Sequence, residues 1–336
     1  MPDAIANPWD SGRGAACCAL SGLTGEEGAA SSAPTIAAHS SAAPHPADER
    51  ALVGVAIVSW NVRELLLRAL ASIAEAGIAT RVAVVDNASS DGSVEAVRAA
   101  FPDVAVIANR DNPGFAVGNN QAFRALGVLG GATGVGSSHR HTSVDGHPEP
   151  PGGASRTAGA GIDGDGARPA ASPPPFVLLL NPDAELRPDA LEALVAYLEA
   201  HPGVGAVGPL LRYPDGSIQS SRRRFPGLAA LFTEATPIEW WWPNHRIARR
   251  MRMDDVSPDR PHAVDWLNGA ALLIRAEALA AVGGFDEGYF MYSEELDLCR
   301  RLRGAGWAIH FVPTAEVVHH EGKSSEQVSA LRDVRF

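Results

Sequence analysis

Cysteine is nearly absent from this chain: three residues in 336, Cys17, Cys18 and Cys299, none at zinc-ligand spacing with histidines. That scarcity excludes a disulfide framework and fits a reducing compartment. Long apolar runs are absent too, and none approaches the ~20 residues that span a bilayer. The opening stretch MPDAIANPWDSGRGAACCALSGL has neither a basic n-region nor a sustained apolar h-region, so no secretory signal is read. The expectation is a cytoplasmic protein, with peripheral contact at the inner face of the membrane left open. Positive charge is also in short supply. Lys and Arg number 28 against 39 Asp and Glu, a formal net charge of -11, which argues against a nucleic-acid partner. It does not exclude a small anionic ligand, because a bound cation can supply positive charge locally.

What is present is a chain with 46% hydrophobic residues, enough for one large domain. Residues 1–50, rich in Ala, Ser, Gly and Pro without apolar periodicity, read as a disordered segment. From residue 51 onward the pattern alternates. VGVAIVS (53–59) reads as a buried strand, and VRELLLRALASIAEAG as a helix with Gly77 as its stop. RVAVVD is a second strand; Ser93 is the expected N-cap of a helix through Ala100; VAVIAN (104–109) is a third strand. Residues from about 127 to 175, as in GGATGVGSSHRHTSVDGHPEPPGG, read as a low-complexity insertion. Its His139, His141 and His147 are better taken as polar filler than as ligands. Regular pattern then resumes. FVLLL (176–180) is a buried strand, and Pro188 is expected to open the next helix. Further strand material is expected at GVGAVGPLL, at 269–274 and at 307–312. The alternation implies an α/β fold with a mostly parallel sheet flanked by helices. Ligands in such sheets sit beyond the C-terminal strand ends, where Asn61, Asp86 and Asn109 fall.

Several residues there suit charge-handling chemistry. Asp183, in LLLNPDAEL, follows a buried strand and is favoured as a metal ligand over a simple Asn-Pro-Asp turn. SEELD carries Glu294, Glu295 and Asp297, with Ser293 as an expected cap. The helix dipole alone favours acids in that first turn. The preceding aromatic run Tyr289-Phe290-Met291-Tyr292 adds an apolar setting that raises a carboxyl pKa toward that of a general base. Arg300 and Arg303 are candidates to pair with these acids or with phosphate. His319 is a candidate metal ligand after the last strand, with His320 as its rival, and Lys323, Ser324 and Ser325 could meet a diphosphate. Asp86 could accept the N3–H of uracil or thymine, and Gly114 and Gly118 permit a close backbone approach.

The stretches VAIVSWN, VVDNASSDGS, NPGFAVGNN, LLLNPDAEL, DWLNGAALLIR, VGGFDEGYFMYSEELDLCRRLRGAGW and VVHHEGKSS, in that order, resemble glycosyltransferase family 2, which has the GT-A fold. The look is that of bacterial rhamnosyltransferase-like members that build cell-surface polysaccharides, to which QSSRRRFPG (219–227) adds. The resemblance implies a metal-dependent, inverting transfer of a sugar, rhamnose among the candidates, from a dTDP- or UDP-sugar with Mg²⁺ or Mn²⁺. The acceptor would be a hydroxyl of a glycan or a lipid-linked sugar. It implies donor-binding roles for Ser59, Asn61, Glu64, Asp86, Asn112, Gly114, Asn119, Asn181 and Asp183. Asp183 would take the last place of a DXD-type metal motif, with His319 as a further ligand. Glu295 would be the base, beside Glu294 and Asp297. The family's frequent Glu-Asp pair is Glu-Glu here, which leaves open which glutamate acts. Trp266, Asn268 and Gly269 would wall the acceptor or donor sugar.

Two features depart from the family pattern: the 127–175 insertion, and the absence of transmembrane helices after the final motif, which disfavours a processive membrane synthase. Trp240–Trp242 with Arg246, Arg249, Arg250 and Arg252 suit either an anionic membrane interface or an aromatic subdomain packed on the sheet. Two rivals remain at this level. One is a non-catalytic sugar-nucleotide-binding protein, and the other a hydrolase with a glycosidase-like carboxylate pair.

Overall fold

A computed structural model describes residues 53–130 and 172–320, apart from 235, 237–240 and 243. The N-terminal segment, most of the 127–175 insertion with its histidines, Trp240, and Lys323, Ser324 and Ser325 therefore lie outside the described residues.

The first half is an alternating α/β unit. Strands β1 (Val53–Ser59), β2 (Thr80–Asp86) and β3 (Ala105–Ala108) alternate with helices α1 (Arg63–Ala74), α2 (Ser93–Ala100) and α3 (Phe115–Ala125). Next come β4 (Phe176–Leu180), β5 (Ala184–Leu186), α4 (Ala190–Ala200) and β6 (Val204–Arg212). Short pieces follow: β7 (Ile218–Gln219), β8 (Arg222–Arg223), α5 (Leu228–Glu234), α6 (Arg246–Met251), β9 (His262–Ala263) and β10 (Trp266–Leu267). The described chain closes with β11 (Ala271–Arg275), α7 (Ala276–Val282), α8 (Glu294–Gly304) and β12 (Ala308–His319).

The main sheet runs β3-β2-β1-β4-β11-β6-β12-β5, with β7 on β6 and β9 on β12; β8 and β10 form a separate ribbon. β3, β2, β1 and β4 are mutually parallel, as are β6 and β12, while β11 lies antiparallel between the two groups. The sheet is therefore mixed, though mostly parallel in its first half. Its central strands are buried on both faces, which is why they read as unbroken apolar runs. In β1, Val53, Val55 and Ile57 join one core, while Ala56 and Val58 join the other. β4 splits the same way, Phe176, Leu178 and Leu180 against Val177 and Leu179. The first core is closed by α1 and α4. α1 turns Leu66, Ala69, Leu70 and Ile73 inward at helical spacing. The second is closed by α3, α7 and α8 through Phe123, Leu279 and Leu298.

Several boundaries differ from the sequence expectation for identifiable reasons. Ser93 is the first residue of α2 rather than its cap. Gly92 at φ 79 holds the cap position. The capping oxygen is that of Asp91, which accepts from Ser93 N at 3.0 Å and, through its other oxygen, from Arg63 N at 2.8 Å. One carboxylate thereby serves the starts of two helices. α4 begins at Ala190, two residues beyond Pro188, after Asp189 turns left-handed. β12 does not stop near Val312. An irregularity between Val312 and Glu316 absorbs Pro313, and the strand runs on to His319. The stretch after Asn112 leads directly into α3. Gly114 is the cap of α3, with φ 96, and a Cβ there would sit 2.5 Å from Phe290 O. Gly118 lies within the helix against Val58. These glycines serve backbone-to-backbone and helix-to-strand packing.

α3 also anchors the approach to α8. Asn120, buried on α3, accepts from Phe285 N and donates to Phe285 O, both at 2.9 Å, as a strand partner would. Phe285 in turn stacks on Phe123. Replacing Asn120 with Ala orphans both backbone groups of Phe285, and each buried unpaired group costs about 1–3 kcal/mol. The expected loss is therefore roughly 2–6 kcal/mol, measured by urea unfolding; a change within about 0.5 kcal/mol would show that the loop is held by other contacts.

Candidate active site

At the C-terminal end of β1 and β4 the sheet opens into a solvent-exposed cleft of about 200 Å³. β1 delivers Ser59, β4 leads into Asn181-Pro182-Asp183, and β12 ends at His319. β11 is antiparallel to β4, so the residues preceding it, Asn268 to Ala270, arrive at the same end. Asn181 N donates to Ala270 O at 2.9 Å and closes that junction. α8 brings Glu294 and Glu295 to the opposite wall.

Asp183 and His319 meet as a polar pair in the cleft. The register of β12 on β5 sets His319 opposite Ala184, the residue after Asp183. His319 Nε2 lies 3.3 Å from Asp183 Oδ1 and 3.3 Å from Asn181 Nδ2, and both Asp183 and His319 are buried. His320 points elsewhere: its Nε2 meets Glu185 Oε1 at 2.7 Å, which resolves the choice between the two histidines in favour of His319 as the residue facing the cleft. Two adjacent ligands of an octahedral Mg²⁺, with bonds of 2.0–2.1 Å, lie about 3 Å apart. The Asp183–His319 spacing fits that requirement. Among the described residues no group of three His, Cys, Asp or Glu side chains gathers for a metal, so phosphate oxygens and water would supply the remaining positions.

Opposite, Glu294 is buried and Glu295 partly so, and each has a carboxylate oxygen, Oε2, without a hydrogen-bond partner. Burial pushes the Glu294 carboxyl up to about 7, helped by the neighbouring charge of Glu295. Burial raises Glu295 as well, countered in part by its own amide, the Gly269 amide and the Arg223 charge. Glu294 is thus fitted to exchange a proton near neutrality, and Glu295 is made a stronger base than an ordinary carboxylate. The approach to them is strained: Tyr292 and Ser293 have φ 71 and 70, and Ser293 makes no side-chain cap bond. The expected capping role is therefore absent.

The nucleotide-side candidates divide. Ser59 and Asp86 pair across β1 and β2. Both are buried; Ser59 Oγ and Asp86 Oδ1 lack partners, while Asp86 Oδ2 accepts from Ser89 N at 2.8 Å. Asn112 lines the cleft and accepts from Asn87 Nδ2 at 3.1 Å and Gly114 N at 3.0 Å. Asn61, at φ 52, instead holds the following turn through Ser90 N at 2.7 Å. Glu64 is exposed beside Arg63. Asn119 is buried inside α3 with its amide on Phe115 O. Asn61, Glu64, Asp86, Gly114 and Asn119 are not cleft-lining residues. Of the expected sugar wall, Asn268 and Gly269 line the cleft, whereas Trp266 turns its Nε1 to Arg224 O at 3.1 Å beneath the Arg223 guanidinium. Asp297 is also outside it, paired with Arg301 at 2.7 Å. Arg301, and not the expected Arg300, thus pairs with an acid of this helix, and it also donates to Val282 O and Gly284 O. Arg303 binds Asp265. The sequence reading missed Trp60, Asn87 and Phe115 as cleft residues. Asn87, directly after Asp86 and hydrogen-bonded to Asn112, Gly114 O and Asn109, was signalled by its place at a strand end.

The raised Glu294 pKa makes a pH-dependent stability term. The unfolded chain ionises this group near 4.5 and the folded one near 7, so the stabilising term is whole below 4.5 and is lost as pH rises through 7. At about 1.36 kcal/mol per unit the whole term is roughly 3 kcal/mol. Glu294→Gln is expected to be more stable than the parent at pH 8 relative to pH 5 by about that amount, read by urea unfolding at the two values; equal pH dependence would refute the shift.

A family model described as "Glycosyltransferase like family 2" matches residues 50–333. An N-acetylglucosaminyl-diphospho-decaprenol L-rhamnosyltransferase of Mycobacterium tuberculosis is 33% identical over 276 residues, covering 81% of this chain and 76% of that one. Rhamnosyltransferase WbbL of Escherichia coli K12 is 32% identical over 146 residues, covering 43% of this chain and 52% of its own length. With these matches added to the strand order and the cleft, this chain belongs to the family 2 glycosyltransferases and has their GT-A fold.

Proposed function

We propose that this glycosyltransferase moves an L-rhamnosyl unit from a nucleoside-diphosphate donor, dTDP or UDP, to a hydroxyl of a diphospho-polyprenyl-linked sugar, with inversion. The observation that carries the proposal is the convergence, in one cleft, of the Asp183–His319 pair with the Glu294–Glu295 pair. The sugar and the acceptor class are taken from the name of the relative that matches 81% of the chain, and the nucleoside-diphosphate donor from the family resemblance.

Asp183 and His319 would hold Mg²⁺ or Mn²⁺, which when bound neutralises charge on the diphosphate leaving group. Ser59, with Asp86 behind it, offers unpartnered acceptor oxygens for a nucleobase or ribose. Asn268 and Gly269 flank the sugar's place, and the Gly269 amide holds the Glu295 carboxylate. Glu295 takes the proton of the acceptor hydroxyl as its oxygen bonds to the anomeric carbon. The bond from that carbon to the diphosphate oxygen breaks, and the nucleoside diphosphate leaves. Glu294, held near pH 7, is poised to carry a proton beside it. A sugar-nucleotide-binding protein without turnover would not need two desolvated carboxyls in its cleft, each with one oxygen left without a partner.

Glu295→Gln is expected to cut turnover by a factor of 10² or more, in the range of a lost general base, with donor affinity nearly unchanged. Asp183→Ala should abolish the metal-dependent thermal shift given by dTDP-rhamnose. Retained turnover in Glu295→Gln would remove that residue from the reaction.

A lipid-linked acceptor calls for contact with a membrane, although no described helix is long and apolar enough to cross one. Leu228, Phe232, Trp241 and Trp242 are exposed around α5, next to exposed Arg246, Arg249 and Arg250 on α6. Apolar rings beside arginines suit an anionic lipid surface. Trp241→Ala with Trp242→Ala should lower co-flotation with phosphatidylglycerol vesicles several-fold while leaving thermal stability intact. Unchanged flotation would refute this contact.

A further inference from the structure

Gln219 is a buried residue on a two-residue strand, and none of the chemistry above employs it. Strand register explains how it reaches the site. Gln219 pairs with Leu211 on β6, and Leu211 pairs with Val317 on β12. His319 is two residues beyond Val317 and so shares its face. Gln219 Oε1 ends 3.0 Å from His319 Nδ1, and both side chains are shielded from water.

A neutral imidazole carries its proton on one nitrogen and a lone pair on the other. Because the Gln219 amide oxygen can only accept, Nδ1 donates to it and keeps the proton, which leaves the lone pair on Nε2, the atom that faces Asp183 Oδ1 and Asn181 Nδ2 at 3.3 Å. An amide N–H from Asn181 agrees with that lone pair. The carboxylate of Asp183 does not: two electron-rich atoms at this distance are repulsive unless a cation lies between them. The opposite tautomer would aim a proton at Asp183 and close the pair as an ordinary hydrogen bond. A purely structural glutamine is also a poor fit here, because Gln219 Nε2 is buried without a partner, a loss that a leucine would avoid.

We propose that Gln219 is the positioning residue of the cation site: it fixes the His319 tautomer and ring orientation so that Nε2 and Asp183 present two electron-pair donors to one divalent cation. The inference rests on the proposed role of Asp183 and His319 and assigns to Gln219 the support that such histidines need.

The test uses the full chain. In the metal-free protein, ¹⁵N-correlated spectra of the His319 imidazole should show the Nδ1–H tautomer; an Nε2–H signature would overturn the proposal. Mn²⁺ binding, followed by electron paramagnetic resonance with saturating dTDP, should weaken 10- to 100-fold in Gln219→Leu, the range for lost support of a metal-bound histidine. Gln219→Glu keeps an acceptor at the same reach and should bind within a few-fold of the parent. If Gln219→Leu does not fold, Gln219→Asn, one methylene short of Nδ1, is expected to weaken binding in the same sense. Unchanged Mn²⁺ affinity in the folded variant, alongside its loss in Asp183→Ala, would overturn the role of Gln219 alone. Unchanged affinity in Asp183→Ala would overturn both this inference and the cation site beneath it.

Discussion

The pairing of β12 with β5 is the constraint on which the rest of this site depends. β5 is three residues long and follows the Asn181-Pro182-Asp183 turn without a gap. β12 reaches it only because the strand passes through its irregularity beyond Val312. Antiparallel register then sets His319 against Ala184 and Val317 against Leu186. A one-residue slip would turn His319 to the other face of the sheet. The alternation of buried apolar residues along β12 makes such a slip costly, since it would expose Phe311 and Val317, both fully buried. Core packing thus sets the distance between two polar groups that the core itself does not use.

The same logic governs the other wall. Glu294 and Glu295 reach the cleft because α8 buries Leu298, Cys299 and Leu302 against the sheet, which fixes the rotation of the helix. The turn before it is then forced through two left-handed residues. Buried Cys299, whose thiol is pushed up to about 12 by desolvation, belongs to this packing and not to the chemistry. Of the buried polar atoms without a partner among the described residues, Ser59 Oγ, Glu294 Oε2 and Glu295 Oε2 belong to the cleft lining, Asp86 Oδ1 and Gln219 Nε2 to residues paired with that lining, and Asn119 Oδ1, His245 Nε2 and Arg301 Nη2 lie on residues outside it. Native cores rarely tolerate such atoms without a use for them. The first five, at or beside the cleft, identify it as the place where stability is given up for binding.

Much of this was legible in one dimension. Strands buried on both faces show as uninterrupted apolar runs, so β1, β2 and β4 could be read within a residue. The family motifs likewise identify Asp183, Glu295 and His319 by local composition. Elements without such a signature were invisible. β5, β7 and β10 are two or three residues long, and nothing local distinguishes them from loop. Motif membership alone does not say which residues line the cleft: Asn61, Asn119, Trp266 and Asp297 sit in the motif stretches but outside its lining, each with a hydrogen bond to neighbouring backbone or side chains.

By itself, then, the sequence determined the α/β architecture, the family and the kinds of group available, because each depends on periodicity or on residues close along the chain. Only the tertiary structure decided which of those groups share a cleft, that His319 rather than His320 faces Asp183, and that Gln219 stands behind it. Those outcomes depend on strand register and helix rotation. Both are set by the burial of side chains about 100 or more positions apart, such as Gln219 against His319 and Asp183 against His319, and no local pattern carries that information.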